Sequence, residues 1–541
     1  VFLFAWWAYG LVLAFILGAL FVVIPRTADG PSKSHGSARW SDAADLQQHG
    51  LLAPAFSGDR YLLGVWPEPL KASGKPALPA KSRGAGYPLV TTGAKVRRAG
   101  ASVDDGHVIT VAGTGAGKGV AVVKPNLMTY AGSVVVLDPK GENFASTLAA
   151  RVALGSRVCL VDPFGAARAS GGAEYAARFN PLQSIELALA EGRHGDVFDE
   201  AAVIADMIVV AKDGESQPHF NEKAKAFIKA AILFVAYAPP YQDRAKFPLT
   251  LPTVKDCILR FFASPETIKV FVGLCQSEPH LAASAGEVSM IAGEERASVL
   301  STVQRHTEFL NAPNVRESLS ASDFSLADLK RERLSIYLVL PATRLAAYNR
   351  LARVWLGALL QAVMREEGAP QHRVLFMLDE MAQLGAMEPL VQAVSLARGY
   401  GVDLWMLFQD LNQIRGAYGE RWQTFFGNAR YQQFFGVRDL ETAKYVSELL
   451  GKATIQVFDK SSGTSSASGD GSSSTTTTTT TREMARELLQ PNEVMQLPES
   501  EVLIIVPQLP PIRARKLDTR DEVVLTALRA APAQISAGAE P

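Results

Sequence analysis

The stretch HVITVAGTGAGKGVAVVKPNLM, residues 107–128, decides the fold. It reads as an apolar strand, a turn AGTGAGKG from Ala112 to Gly119, and the start of a helix. That order makes a phosphate cradle: backbone N–H groups and a helix N-terminus face an anion, and Lys118 reaches its outer phosphates. Gly113, Thr114, Gly115, Ala116, Gly117, Lys118, Gly119 and Val120 are the candidate binding residues. Two positions depart from the general pattern. Ala112 stands where a first Gly is usual, and Gly119 stands where a Ser or Thr hydroxyl normally meets magnesium. An ordinary glycine-rich strand-to-helix turn is the competing reading, but three glycines and a lysine exceed what a turn needs.

Working outward, short apolar runs alternate with helical stretches. After HVITV come SVVVLD (133–138), RVCLVD (157–162), LSIYLVL (334–340), RVLFMLDE (373–380), VDLWMLF (402–408), YQQFFGV (431–437) and VLIIV (502–506). Continuous runs of this kind predict an α/β fold with a parallel sheet covered on both faces, and a ligand at the carboxyl ends of its central strands. The alternation lapses over residues 184–325, which are Ala- and Leu-rich with helical periodicity. This segment is expected to be an all-α domain inserted between two parts of the α/β domain, 107–183 and 326–527.

A cradle only binds; hydrolysis also needs a carboxylate for a metal and a base for water. VLFMLDE supplies both at a strand end, with Asp379 as the magnesium ligand and Glu380 as the group that orients or deprotonates water. Gln409 ends the next strand, where its amide can sense an outer phosphate. Arg398, between those strands, is either a solvated helix-end arginine or a finger serving a neighbouring subunit. Asp138, Lys140 and Glu142 border the ligand or cap the following helix; spacing does not decide. His219, His306 and the other histidines show no partner pattern.

The 541 residues are enough for two or three domains. Lys plus Arg and Asp plus Glu each number 54, so no global charge draws the chain to nucleic acid and any such contact must be local. Cys159, Cys257 and Cys275 lie too far apart in sequence for a zinc motif and read as buried small hydrophobes.

Residues 1–25 carry no charge and would, as a helix, span the roughly 30 Å hydrocarbon core. An aromatic N-terminal half, and Arg26, Lys33 and Arg39 beyond the other end, predict a transmembrane helix with the rest of the chain in the cytoplasm. Because the sequence opens on Val, a preceding transmembrane helix is expected to be missing. Residues 26–106 are expected to form a juxtamembrane and connecting segment, irregular with a few short strands. The Ser/Thr tract 461–481 is expected to be a disordered loop, and 528–541 a disordered tail.

HGSARW (35–40), VAGTGAGKGVAVVKPNL, GSVVVLDPKGEN, RFNPL, VLFMLDE, ARGYGVDLWMLFQDLNQI and PPIRARK occur here in one order. Together they resemble the TraG-like conjugative coupling proteins of type IV secretion systems, over about residues 35–517. The resemblance implies an inner-membrane ATPase using ATP and Mg2+, with a RecA-like P-loop domain and an all-α domain, assembled as a homo-hexamer. It implies partners: single-stranded DNA with relaxase, or effector proteins, and the inner-membrane components of the secretion apparatus. It assigns Lys118 to phosphate, Asp379 and Glu380 to metal and water, Arg398 to a finger acting in trans and Gln409 to a sensor. GKG at 117–119 looks like the family's own variant, and the family's usual second transmembrane helix supports one missing here. Two other readings share these features: a docking receptor in which nucleotide controls only assembly, and a chromosome-segregation translocase of the FtsK kind. The long helical insertion and HGSARW argue against the latter.

Overall fold

The computed structural model describes residues 33–53, 58–66, 87–91, 97–98, 101–102, 106–210, 218–261, 264–289, 293–366, 373–466 and 473–537. The membrane-spanning expectation for residues 1–25 lies outside them. Among the described residues no helix is long and apolar enough to cross a membrane.

The chain divides into two compact units. The larger, within residues 40–443 and from 492 onward, is built on an eleven-stranded sheet among the described residues. Its strands are β1 (Leu62–Trp66), β2 (Tyr87–Val90), β5 (Val108–Ala112), β6 (Val134–Asp138), β7 (Arg157–Val161), β8 (Leu334–Val339), β9 (Val374–Leu378), β10 (Val402–Phe408), β11 (Tyr431–Phe435), β14 (Glu501–Ile505) and β15 (Ile512–Arg515). The two-residue strands β3 (Arg97–Arg98) and β4 (Ala101–Ser102) pair with each other apart from it. The strand order is β2-β1-β15-β14-β11-β5-β10-β9-β6-β8-β7. From β11 to β7 every neighbouring pair is parallel. β5, β6, β8, β9 and β10 are buried along their whole length, as continuous apolar runs covered on both faces must be.

Register places the site. Phe408 lies opposite Val111, Met406 opposite Leu378, and Leu137 also opposite Leu378. The carboxyl ends of β5, β10, β9 and β6 therefore finish together, which brings the Gly113 loop, Gln409, Asp379 and Asp138 to one rim.

Three expectations are corrected. β14, β15, β1 and β2 extend the sheet beyond β11 as antiparallel strands, so the sheet is mixed, and β1 and β2 from the expected connecting segment belong to it. Their pairing is long-range, with Val65 opposite Arg515, and no local periodicity announces it. The expected tail begins inside a helix, Glu522–Ala537. Val524, Leu525 and Leu528 give it one apolar face, which packs with Leu517, Met128, Ala150 and Leu62. Residues 538–541 lie outside the described set.

The third correction concerns the smaller unit, which holds residues 444–491 together with the described part of 33–39. The tract expected to be a disordered loop is part of an antiparallel hairpin, β12 (Lys452–Ser466) with β13 (Ser473–Glu487). Residues 467–472 are outside the described set. The ladder pairs the backbone polar groups that face across it and leaves the outer edges to solvent, and the β-branched run Thr475–Thr481 favours extended backbone. Gly36 of HGSARW meets the base of this hairpin: Ala38 N donates to Lys452 O at 2.9 Å, and a Cβ on Gly36 would fall 2.3 Å from that oxygen.

Between β7 and β8 the described residues contain no strand: two short 3-10 turns, Arg168–Ser170 and Gly172–Tyr175, precede a run of helices that begins with Gln183–Ala190 and ends with Asp328–Arg331. Phe234, Phe261 and Phe271 form an aromatic cluster in this insertion, with the Phe234 and Phe271 rings 4.5 Å apart. The three cysteines are buried and free. Burial pushes the thiols of Cys257 and Cys275 up to about 12, so they stay protonated and behave as apolar groups.

The amino ends of the strands are held by a buried ion pair. Arg373 Nε and Nη2 donate to the Asp403 carboxylate at 2.6 and 2.8 Å, and Tyr61 Oη donates to it at 2.8 Å. Asp403→Leu is expected to destabilise the larger unit by about 3–5 kcal/mol, because it leaves the Arg373 charge without its partner. Chemical denaturation of wild type and variant measures the difference.

Candidate functional site

The turn after β5 closes by its own backbone. Ala116 N donates to Gly113 O at 3.1 Å, and Gly113 N donates to Gly436 O, after β11, at 3.2 Å. A Cβ on Gly113 would stand 2.4 Å from that same carbonyl, so only glycine permits the approach. Gly115 and Gly117 take φ +77° and +92°, the left-handed region glycine favours. The chain then enters a wide π-helical turn, Gly119–Val123, in which Lys124 N–H bonds to Gly119 O. Pro125 accounts for the widening, since in a regular α-helix its ring would collide with the carbonyl four residues earlier. Gly113→Ala is expected to abolish nucleotide binding with the fold retained, measured by calorimetry alongside circular dichroism.

Lys118 is half-buried, and its Nζ donates to Ala112 O at 2.8 Å. Burial lowers its pKa, while Glu380, Asp379 and Asp410 act to keep it charged. Asp379 and Glu380 follow β9 directly. Burial, reinforced by the adjacent Glu380, pushes the Asp379 carboxyl up to about 6, against the opposing pull of Lys118. Glu380 takes φ +56°, and a non-glycine residue held there costs about 1–3 kcal/mol, a cost that clusters at active sites. Its carboxylate is gripped by amides: Gln409 Nε2 donates to both oxygens at 3.2 and 3.1 Å, and Gln383 Nε2 to one at 3.2 Å. Thr114 Oγ1 in turn donates to Gln409 Oε1 at 2.9 Å, so the loop, Gln409 and Glu380 form one chain of hydrogen bonds.

These groups line a cavity of about 350 Å³ with Gly113, Gly117, Gly119, Val120 and Asp138. Asp138 accepts from Phe144 N at 2.9 Å and from Lys140 N at 3.4 Å, so it ties down the start of helix Glu142–Ala153 as well as lining the cavity. Gly119 supplies no hydroxyl. A Cβ there would meet nothing within 4 Å, so the missing side chain is not forced by space.

Arg398 is not among them. It is exposed and lies before the amino end of β10, whereas Gln409 follows the carboxyl end; a seven-residue strand separates them by roughly 20 Å. Arg373 Nη2 donates to its carbonyl at 3.2 Å. His306 is a structural group, with its ring bonded to Asn221 Oδ1 and Arg350 Nε, each at 3.2 Å.

Three residues at the loop escaped the sequence reading. Gly436 accepts from Gly113. Lys516 Nζ donates to Ala116 O at 2.8 Å and sits 4.8 Å from the Phe435 ring centre. Arg520 lines the cavity. The only signal in sequence was the basic run at PPIRARKLDTR after the last apolar strand.

Residues 77–522 match the family model described as type IV secretory system conjugative DNA transfer. The chain is 27% identical to the type IV secretion system-coupling protein VirD4 of Bartonella henselae, over 93% of this chain and 77% of that one. It is 28% identical to the conjugal transfer protein TraG of Escherichia coli, over 86% of this chain and 71% of that one. Its fold is similar to that of the plasmid coupling protein TrwB in complex with ADP and Mg2+, with a TM-score of 0.54 and 15% identity over 85% of this chain and 96% of that one. The α/β core with its mixed, mainly parallel sheet is thus of the RecA-like kind.

Proposed function

Because the chain belongs to the type IV secretory system conjugative DNA transfer family, we propose that it is a coupling ATPase of a conjugative secretion apparatus. It recruits single-stranded DNA with its relaxase, or effector proteins, and uses ATP hydrolysis to deliver them to the secretion channel. The observation that carries this reading is the chain Thr114–Gln409–Glu380 beside Asp379 and Lys118: a phosphate loop wired to a held carboxylate.

Backbone N–H groups of residues 113–120 and the Lys118 ammonium bind the phosphates of ATP. Glu380 accepts a hydrogen bond, and then a proton, from the attacking water, while Gln409 and Gln383 fix the carboxylate that does so. Gln409 touches both Glu380 and the loop, so it reports the state of the outermost phosphate to the base. The Asp379 carboxyl is a hard oxygen donor whose buried charge calls for a cation, and it fits Mg2+. Asp379 is the residue that would hold the ion; among the described residues no three His, Cys, Asp or Glu side chains gather into a metal site. When bound, Mg2+ would supply neutralising charge to the phosphates.

Arg398, too distant for its own cavity, acts as a finger on a neighbour's nucleotide in a homo-hexamer. The charge-free segment 1–25 anchors the protein in the inner membrane, where the other secretion components meet it, with the bulk of the chain in the cytoplasm.

DNA transfer from cells carrying the parent conjugative element tests the function. Deleting the gene is expected to stop transfer, wild type to restore it, and Lys118→Ala to fail. Restoration by Lys118→Ala would remove ATP from the account.

A further inference from the structure

We infer that Arg520 is a nucleotide ligand, bound to the part of the nucleotide that hydrolysis leaves behind, the inner phosphates with their ribose. This rests on the nucleotide reading of the cavity.

After β15 the chain crosses onto the phosphate loop and is fastened there twice. Lys516 Nζ donates to Ala116 O at 2.8 Å, and Thr519 N donates to Val120 O at 3.1 Å. Arg520 is thereby brought to the cavity wall. A Cβ built on Gly117 would lie 3.9 Å from Arg520 Nη2 and equally 3.9 Å from Lys516 Nζ, so both cations flank the loop at its helix-side end.

The hydrolytic groups stand at the other end. Thr114 contacts Gln409, and the acidic groups acting on Lys118 are Glu380, Asp379 and Asp410. Arg520, by contrast, bonds to Asp518 and lies beside Gly117. In a phosphate loop the lysine reaches outward and the helix-side amides hold the inner phosphates. Arg520 therefore faces what ATP and ADP have in common.

The guanidinium is presented by Asp518. Arg520 Nε donates to the Asp518 carboxylate at 2.9 and 3.1 Å, Nη2 at 2.5 Å, and Arg520 N at 2.9 Å. This pair spans two residues at the cavity rim, where an ion pair adds little stability. It orients the planar fork, and an incoming phosphate competes with Asp518 for its donors.

The test uses the full chain, with fluorescent ADP and a slowly hydrolysed ATP analogue as probes. Arg520→Ala is expected to weaken both by the same factor, about 5- to 30-fold, in keeping with a charge-assisted hydrogen bond at an exposed rim. Asp518→Asn, which releases the guanidinium, should bind both probes at least as tightly as wild type. The assignment is overturned if Arg520→Ala leaves both affinities unchanged or lowers turnover alone. It is also overturned if Asp518→Asn weakens binding as much as Arg520→Ala, the pattern of a structural bridge. Wild type binding neither probe would overturn the nucleotide reading itself; normal wild-type binding with a silent Arg520→Ala removes this assignment alone.

Discussion

Glu380→Gln is expected to lower ATP turnover by about two to four orders of magnitude, the usual contribution of a positioned general base, while nucleotide affinity changes little. The substitution keeps the length of the side chain and the left-handed backbone at this position, and the remaining carbonyl oxygen can still accept from Gln409 and Gln383 as Glu380 Oε2 does. The proton-accepting charge is lost, together with one of the two contacts from Gln409. A single-turnover assay with bound ATP separates the two effects. Turnover within about tenfold of wild type would show that water is activated elsewhere.

Asp379→Asn is expected to act in two directions. It should reduce magnesium-dependent turnover by at least about a hundredfold, because a neutral amide is a poor partner for a hard divalent cation. In protein free of nucleotide and metal, it should also raise stability at neutral pH. The sign follows from the carboxyl sitting near 6 in the fold against an ordinary 3.8. Above pH 6 the folded state must keep a buried carboxylate charged, a cost the unfolded chain does not carry. As pH falls from 6 to below 4 the carboxyl takes its proton and the cost disappears. At pH 7.5 the gain in Asp379→Asn should be about 1–3 kcal/mol, allowing for partial exposure, and it should vanish near pH 4. Thermal unfolding across that range reads it; a variant less stable than wild type at pH 7.5 would contradict the assigned burial.

The parallel core and its rim were legible because each buried strand is a short apolar run, and the candidate residues stand at or just beyond the carboxyl ends of β5, β6, β9 and β10. VLFMLDE and VDLWMLFQ place Asp379, Glu380 and Gln409 without any tertiary information. β1 and β2 were not legible, since they acquire their role by pairing with strands that follow hundreds of residues later. The Ser/Thr tract misled for a different reason. Its composition is poor in apolar residues, yet a hairpin ladder begun at Lys452 and Glu487 continues into it as far as the pair Ser466 and Ser473. Lys516 and Arg520 were hidden because the chain must first finish the antiparallel strands before folding back over the loop. Arg398 shows the opposite case, a residue whose proposed role lies outside its own subunit and which no geometry within one chain can complete.

The most direct measurement is steady-state ATP hydrolysis by the purified full chain, with and without single-stranded DNA, for wild type and Lys118→Ala. A coupling ATPase should hydrolyse ATP faster with DNA, and Lys118→Ala should remove both the basal and the stimulated rate. Hydrolysis that DNA leaves unchanged, or that persists in Lys118→Ala, would contradict the proposal that the cavity between β5, β9 and β10 drives substrate delivery.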